Sequence, residues 1–181
     1  MERLPAGVVV VNWNGGALLD ACLDALDGQG AARILVVDNG SEPDELQRLA
    51  RRDGVFVLPL GTNRGFSPAS NAGAVDARMK ALPYVAFVNN DAVLEPGYLA
   101  ACVAALEADP GLSAVQGVVL DAGGGLVDGL GIGWNRRREA IQLGHGGPPP
   151  RADAPPFPVS GVSGTAPVFR RSDFERAGGF A

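Results

Sequence analysis

Four short apolar segments alternate with helix-like segments over the first hundred residues, and this alternation restricts the possible folds more than any other feature. The segments are rich in Val, Leu, Ile and Phe and cover residues 7–12, 33–38, 55–60 and 84–89. Such a composition is typical of strands that are covered on both faces. Strands that alternate with helices predict βαβ units around a mostly parallel sheet, with helices on both faces, in a single α/β domain.

The spacing of apolar residues and the helix-start residues predict four helices around these strands. They are a helix with Leu18, Leu19, Cys22 and Leu26 on one face, a helix opened by a capping box at Ser41, a helix that Ser67-Pro68 caps and starts and that runs toward Leu82, and a helix from Pro96 to about residue 108. Beyond residue 110 we predict a strand over 113–120, a strand within 159–170 and a short helix opened by a capping box at Ser172. The stretches rich in Gly and Pro predict loops or hairpins.

Composition excludes several classes of protein. Of the 181 residues, 46% are hydrophobic and 19% are charged, which is enough apolar material for a core and too little charge for a disordered chain. The 20 acidic residues outnumber the 15 basic ones, which argues against a general nucleic-acid binder. Cys22 and Cys102 lie in helical patterns and are predicted to be core residues rather than a disulfide or a metal clip.

The apolar runs are far shorter than the roughly 20 residues that span a bilayer. The N-terminus lacks a basic segment followed by an apolar one, which is the pattern of a signal peptide. We therefore expect a cytoplasmic protein, a location that includes the inner face of the cell membrane.

Polar residues follow three of the predicted strands at the point where each ends. They are Asn12-Trp13-Asn14, Asp38-Asn39 and Asn89-Asn90-Asp91. Ligands of an open parallel sheet bind beyond the carboxyl ends of its strands, so these residues are the first candidates for a site. Each also has an ordinary structural interpretation: a core aromatic for Trp13, a turn residue for Asp38 and an Asx turn for Asn-Asn-Asp.

Five motifs in order, spread over residues 7–180, resemble family 2 glycosyltransferases with the GT-A fold. They are Val8-Val9-Val10-Val11-Asn12-Trp13-Asn14, Val36-Val37-Asp38-Asn39-Gly40-Ser41, Asn63-Arg64-Gly65-Phe66 with Asn71-Ala72-Gly73, Phe87-Val88-Asn89-Asn90-Asp91, and Ser163-Gly164-Thr165-Ala166 with Gly178-Gly179-Phe180. The resemblance implies a GT-A-like, Rossmann-like domain. Residues 1–95 would be its nucleotide-sugar-binding half, and residues 96–181 an incomplete acceptor-side half.

The resemblance also implies roles for individual residues. The donor is expected to be a sugar linked to UDP, dTDP or GDP. The residues expected to bind its nucleotide are Asn12, Trp13, Asn14, Asp38, Asn63, Arg64, Gly65, Asn89 and Asn90. Asp91 matches the last carboxylate of the family's Asp-X-Asp motif and is the expected ligand of Mg²⁺ or Mn²⁺, although Asn89 departs from that motif. Ser163, Gly164 and Thr165 are expected on the sugar or acceptor side.

Three further features leave more than one interpretation open. The stretch over residues 63–67 precedes a helix, so its free backbone N–H groups are expected to face an anion, with Gly65 allowing close approach and Arg64 adding charge; the alternative is an ordinary capped loop. Arg136, Arg137 and Arg138 form a basic cluster suited to a diphosphate or an anionic lipid-linked acceptor, or simply a solvated surface. His145, the single histidine, is expected to be an exposed loop residue.

The implied activity is transfer of a sugar, with inversion, to a saccharide or lipid-linked acceptor in the synthesis of cell-envelope polysaccharide. The Asn-Trp-Asn-Gly segment is similar to rhamnosyltransferases. The family's catalytic base usually follows the Gly-Gly-Phe segment, so it is expected beyond Ala181; Asp121, Asp128 and Asp153 are weak substitutes. The alternatives are a non-catalytic nucleotide-sugar-binding module or inactive fragment, and a sugar nucleotidylyltransferase, which would need a Gly-Gly-X-Gly-X-Arg-type loop after the first strand.

Overall fold

The first half of the chain folds as the predicted succession of strands and helices. The computed structural model describes residues 3–181. In order, the elements are β1 (Leu4–Asn12), α1 (Gly16–Asp27), β2 (Ala31–Asp38), α2 (Pro43–Ala50), β3 (Val55–Pro59), α3 (Phe66–Val75) and β4 (Tyr84–Asn89). All four predicted strands of this half are confirmed.

The second half has shorter elements. They are α4 (Tyr98–Ala108), β5 (Ala114–Val115), β6 (Val119–Leu120), β7 (Val127–Gly129), β8 (Ile132–Trp134), β9 (Ala140–Gln142), β10 (Val168–Arg170) and α5 (Arg171–Arg176). The prediction of one strand over 113–120 is wrong: β5 pairs with β10 and β6 with β7, and between them the Gly117 N–H donates to the Tyr98 hydroxyl at 3.0 Å rather than to a strand. Only the last three residues of the predicted 159–170 strand are in β10.

Six strands form the central sheet in the order β3-β2-β1-β4-β10-β5. The four strands β3, β2, β1 and β4 are parallel, and β10 runs antiparallel to both of its neighbours. Two small hairpins, β6–β7 and β8–β9, lie outside this sheet. The carboxyl ends of the parallel strands therefore share one edge.

Helices pack on both faces of the sheet, as predicted. On one face α1 and α4 cover residues such as Val8 and Val10, and on the other α3 and α5 cover Val9 and Val37. Successive side chains of a strand point to opposite faces, so a run of valines serves both layers. No helix among residues 3–181 combines the length and the apolar character needed to cross a membrane.

Both cysteines lie in the core as free thiols, in agreement with the sequence. Burial, with a smaller contribution from the Asp91 carboxylate, raises the pKa of the Cys22 thiol to about 12. Burial raises the pKa of Cys102 to about 11. Because the thiolate is the reactive form, neither side chain is suited to act as a nucleophile.

A cluster of phenylalanines joins the last residues of the chain to the sheet. The Phe87 ring of β4 lies 5.9 Å from Phe169, 4.9 Å from Phe174 and 4.8 Å from Phe180, centroid to centroid. The Asn71 amide of α3 fixes the Phe180 backbone, accepting from its N–H at 2.9 Å and donating to its carbonyl at 2.8 Å. Side chains more than 90 residues apart in sequence thus form one packing unit.

The helix ends differ from the predictions. None of the three expected side-chain caps forms: α2 begins after Glu42 with Pro43 in its first turn, α3 begins at Phe66, and Ser172 lies inside α5. The third helix also ends at Val75 rather than near residue 82. The chain leaves the helix there because the Asp76 carboxylate accepts a hydrogen bond from the Arg78 N–H at 2.9 Å and pairs with its guanidinium.

Gly73 allows α3 to approach the sheet closely. A Cβ at this position would lie 2.5 Å from Cγ1 of Val9 and 2.8 Å from Cγ2 of Val37, both of which are buried. We expect Gly73→Ala to lower the free energy of unfolding by about 1–3 kcal/mol, because the helix must shift outward. Urea unfolding measures this, with Gly28→Ala as the control because a Cβ there meets open space. Equal stability of the two variants would contradict the close packing.

Candidate functional site

Strand register brings together the polar residues that were predicted to end β1, β2 and β4. Asn12 pairs with Asp38 across β1 and β2, and Val11 pairs with Asn89 across β1 and β4. We call this edge, with the loops that follow β1 to β4, the carboxyl rim. Its position is that expected for a ligand site in an open parallel sheet.

Asp38 is the buried carboxylate of the carboxyl rim, with 0% of its surface exposed. Its Oδ2 accepts hydrogen bonds from the N–H groups of Gly40 at 3.2 Å and Ser41 at 3.1 Å. Its Oδ1 is buried and has no partner among the described residues. Leaving such an acceptor unpaired costs about 1–3 kcal/mol, so this oxygen is suited to receive an N–H from a ligand.

Gly40 is required by the approach of two rim loops. It has a φ of 87°, and a Cβ there would lie 2.8 Å from backbone atoms of Thr62. Any larger residue would separate the loop after β2 from the loop after β3. The glycine of the Asp-Asn-Gly-Ser motif therefore preserves the surroundings of Asp38.

Asn12 is fully buried and is bonded entirely to other protein groups. Its Nδ2 donates to Glu45 at 3.1 Å and to Ser41 Oγ at 3.4 Å. Its Oδ1 accepts from the Gly15 N–H at 3.1 Å and from Asn90 Nδ2 at 3.0 Å. With both ends of its side-chain amide occupied, Asn12 positions the rim, and its contact with a nucleotide stays a prediction.

Glu45 of α2 was not identified from the sequence, yet it supports the same network. Its carboxylate accepts from Asn12, from the Gly16 N–H at 3.2 Å and from Arg48 at 2.9 Å. Burial alone would raise the pKa of Glu45, but these hydrogen bonds outweigh it and hold the pKa below its ordinary value. A charged Glu45 therefore ties the start of α1 to the end of β1. Only its position in the first turn of α2 could have suggested a role.

Trp13 lies at the surface beside this network. It is 56% exposed, which excludes the interpretation of a core aromatic. The next residue, Asn14, has a φ of 51° and is held by two hydrogen bonds, from its own N–H to Ser41 Oγ and from the Glu42 N–H to its Oδ1, both at 2.9 Å. The backbone that presents the Trp13 ring is thus fixed on its C-terminal side.

The 63–65 loop is held by side-chain amides. Asn39 Oδ1 accepts the Arg64 N–H at 2.8 Å, and Asn63 Oδ1 accepts the Gly65 N–H at 2.9 Å. Both of these backbone N–H groups thus donate within the protein, and an anion contact of residues 63–67 stays a prediction that rests on the rest of the stretch. The Arg64 side chain is exposed, with one 3.3 Å contact to the Leu60 carbonyl.

Asp91 follows β4 and is exposed on the carboxyl rim. Its carboxylate makes no hydrogen bond or ion pair with any of residues 3–181. That range also contains no group of three or more acidic, histidine or cysteine side chains that would hold a metal alone. Mg²⁺ and Mn²⁺ are commonly held by one or two carboxylates together with phosphate oxygens, and a single free carboxylate fits that mode.

The segment predicted to lie on the sugar or acceptor side, residues 163–165, lies against the end of β4. The Asn89 N–H donates to the Thr165 carbonyl at 2.9 Å, and a Cβ on Gly164 would lie 3.3 Å from the Phe66 ring. Ser163 is buried, its N–H donates to the Gln116 side chain, and its Oγ has no partner among the described residues. Contacts between residues far apart in sequence therefore place residues 163–165 beside the rim. Nothing in the sequence predicted that the Gln116 side chain would hold the Ser163 backbone.

Other candidates do not join the site. Asp121 accepts the N–H groups of Gly125 and Leu126 in a local turn, and Asp153 pairs with the exposed Arg151. His145 is exposed, as expected, with Nδ1 2.9 Å from the Asp128 carbonyl. A cavity of about 350 Å³ lies beside α5 rather than at the rim. It is lined by Ser113, Phe169, Asp173, Phe174, Arg176, Ala177, Gly179 and Phe180.

The domain is of the GT-A, Rossmann-like α/β type. Its features are a four-strand parallel core extended by an antiparallel strand, helices on both faces and a polar rim. Residues 7–178 match the family model described as Glycosyl transferase family 2. The chain therefore belongs to family 2 of the glycosyl transferases. No curated protein sequence matches the chain.

Solved structures agree with the fold. A mannosyltransferase from Pyrobaculum calidifontis, solved with GDP-Man and Mn²⁺, superposes with a TM-score of 0.66 at 21% identity over 100% of this chain and 48% of that one. S. aureus TarS 1–349 gives 0.59 at 16% identity over 98% of this chain and 49% of that one. A 4-diphosphocytidyl-2C-methyl-D-erythritol synthase from Anaerococcus prevotii gives 0.51 at 15% identity, covering 94% of this chain and 72% of that one. The chain thus spans about half the length of the mannosyltransferase and of TarS 1–349.

Proposed function

We propose that the carboxyl rim binds a nucleotide-diphospho-sugar and that the whole protein transfers its sugar to an acceptor. The observation that carries this proposal is the unpaired, buried Oδ1 of Asp38, whose cross-strand partner Asn12 directly precedes the exposed Trp13. A nucleobase offers both a flat face and a ring N–H, so the Trp13 and Asp38 side chains complement it. Family membership supports the same chemistry.

Asp91 is the proposed protein ligand for a divalent cation shared with the donor diphosphate. When bound, that cation would stabilise the negative charge that develops on the departing nucleoside diphosphate. Asn90 holds the loop before Asp91 through its bond to Asn12. The Mn²⁺ in the mannosyltransferase structure supports a divalent cation here, and its GDP-Man supports a nucleotide-sugar donor.

Residues 163–165 are proposed to face the sugar and acceptor. The buried Ser163 hydroxyl can donate to or accept from a sugar hydroxyl, because no protein group among residues 3–181 uses it. Transfer with inversion needs a base that takes the acceptor proton as its oxygen attacks the anomeric carbon. We extend the proposal to a saccharide or lipid-linked acceptor in cell-envelope polysaccharide synthesis. The Asn-Trp-Asn-Gly segment supports a deoxyhexose donor such as rhamnose.

Calorimetric titration with UDP, dTDP, GDP and ADP tests the binding step. Each nucleotide is titrated with Mn²⁺ and again with EDTA. We expect selective binding of one of the nucleotides whose base has a ring N–H, and a loss of affinity in EDTA. If none of the four binds, the proposal fails for this chain; binding without donor consumption, with acceptors supplied, would identify a non-catalytic module.

Asp38→Asn tests the base contact. The amide can still accept the Gly40 and Ser41 N–H groups, but it places a donor where the ligand N–H would bind. We expect the affinity for the preferred nucleotide to fall by about 10–100-fold, the loss expected when a buried group loses its partner. Asp44→Asn, at an exposed carboxylate in the first turn of α2, is the matched control and should bind normally. An equal loss for ADP would mean that Asp38 supports the fold rather than reading the base.

A further inference from the structure

The proposed transfer does not use the most basic segment of the chain, which lies in the β8–β9 hairpin. We call residues 132–142 the arginine hairpin. Its strands pair antiparallel, from Ile132 with Gln142 to Trp134 with Ala140. An isolated bridge between Ile132 and Gly161 attaches one end of the hairpin to the segment leading to Ser163. The other end, a turn carrying Arg136, Arg137 and Arg138, is exposed.

The turn of the arginine hairpin has a defined conformation. Asn135 Oδ1 accepts the N–H groups of Arg137 at 2.8 Å and Glu139 at 3.0 Å. Asn135 Nδ2 donates to the Glu139 carboxylate at 2.7 Å. Arg138 has a φ of 61°, a conformation that glycine or asparagine adopts more easily. The turn therefore carries an arginine at a position where glycine would relieve the backbone.

The three guanidiniums have no acidic partners. None of Arg136, Arg137 and Arg138 forms an ion pair with another of residues 3–181, and the single acidic residue of the hairpin, Glu139, is bonded to Asn135. The chain as a whole carries a net charge of −5. The turn is thus a local positive surface on an acidic protein. Because the net charge of the chain is negative, any binding of anions here would depend on this turn and not on the charge of the whole chain.

An exposed aromatic ring adjoins this positive turn. Trp134, the last residue of β8, is 63% exposed. A tryptophan ring favours the boundary between lipid headgroups and acyl chains, because it has one polar and one apolar part. Guanidinium groups bind phosphate oxygens through paired hydrogen bonds. An open turn that combines both matches a phospholipid surface better than it matches one small anion, which needs convergent donors.

We propose that the arginine hairpin docks on the anionic phospholipid headgroups of a membrane. The arginines contact the headgroup phosphates, and the Trp134 ring enters the interfacial layer. Each basic residue near an anionic surface strengthens binding by about fivefold, so three arginines support reversible attachment without a spanning helix. Docking of the arginine hairpin does not depend on sugar transfer. A test of membrane binding therefore does not depend on whether the carboxyl rim binds a donor.

Vesicle cosedimentation tests this docking. The chain is mixed with vesicles of phosphatidylcholine alone or of phosphatidylcholine with phosphatidylglycerol, at low and high ionic strength. We expect binding only to the phosphatidylglycerol vesicles, and weaker binding at high salt because the charges are screened. Replacing Arg136, Arg137 and Arg138 together with glutamine should lower the partition coefficient by at least about tenfold.

The matched control replaces Arg33, Arg51 and Arg151, three exposed arginines elsewhere, with glutamine and should bind as the parent does. A Trp13→Phe variant leaves Trp134 as the single tryptophan, and its emission should shift to shorter wavelength on phosphatidylglycerol vesicles. Equal binding to both vesicle types, an equal loss in the control variant, or complete displacement by inorganic pyrophosphate at low concentration would each overturn the proposal.

Discussion

Asp91→Asn is expected to abolish the dependence of nucleotide binding on a divalent cation. Asp91 is the exposed carboxylate that follows β4, and no protein group among residues 3–181 competes for it. Loss of a group that only supports a metal ligand already costs about 10–100-fold in affinity, so loss of a ligand itself should exceed about 100-fold. Calorimetry with the preferred nucleoside diphosphate in Mn²⁺ should give the same affinity for the variant as the parent shows in EDTA.

Glu95→Gln is the matched control for this experiment. It removes one negative charge from an exposed carboxylate four residues further along the same loop region. We expect its Mn²⁺-dependent binding to equal that of the parent. Unchanged Mn²⁺ dependence in Asp91→Asn would remove Asp91 from the site, whereas equal losses in both variants would indicate a general electrostatic effect.

Phe87→Ala is expected to produce the largest loss of stability among the substitutions considered. The ring is 1% exposed and contacts three other phenylalanines from β10, α5 and the segment after α5. Truncating a buried phenylalanine costs about 3–5 kcal/mol, because apolar contacts are lost and a cavity remains. Urea unfolding, followed by circular dichroism, measures the change.

Phe56→Ala serves as the comparison for Phe87→Ala. Phe56 lies on the edge strand β3, is 40% exposed and contacts the guanidiniums of Arg33 and Arg78 at 6.0 and 5.5 Å from its centroid. We expect its truncation to cost about 1 kcal/mol, the centre of the range for point substitutions, because the ring is only partly covered. Similar losses at the two positions would show that the phenylalanine cluster contributes little to joining the C-terminal segment to the sheet.

The agreement between sequence and structure is best where local pattern and burial coincide. Strands β1, β2 and β4 are continuous apolar runs with polar ends, so their identity and the edge they share follow from the sequence. The agreement is weaker at helix ends. Ser41, which heads a capping-box pattern, instead accepts the Asn14 N–H from another loop. A hydrogen bond to a residue distant in sequence therefore replaced the local cap. The spacing of residues in the sequence does not predict such an exchange.

The site shows the same division. Asp38 and Asp91 could be selected because each follows an apolar run, yet only the structure distinguishes the buried oxygen of the first from the free carboxylate of the second. Asn12 carries the same sequence signal as a ligand-binding residue, but its amide is fully occupied by Glu45, Ser41, Gly15 and Asn90. Whether a polar residue binds a ligand or supports the fold depends on its neighbours in space.

By itself the sequence determined the α/β class, the parallel strands and the carboxyl rim, because these depend on the periodicity of apolar residues over short distances. Only the tertiary structure decided which rim groups remain available to a ligand and how residues 163–165 reach Asn89. It also decided that Arg171 is buried, with its guanidinium donating to the Ala74 carbonyl at 2.8 Å. These outcomes depend on hydrogen bonds and packing between residues up to about a hundred positions apart. Such contacts form only when the sheet brings those residues together.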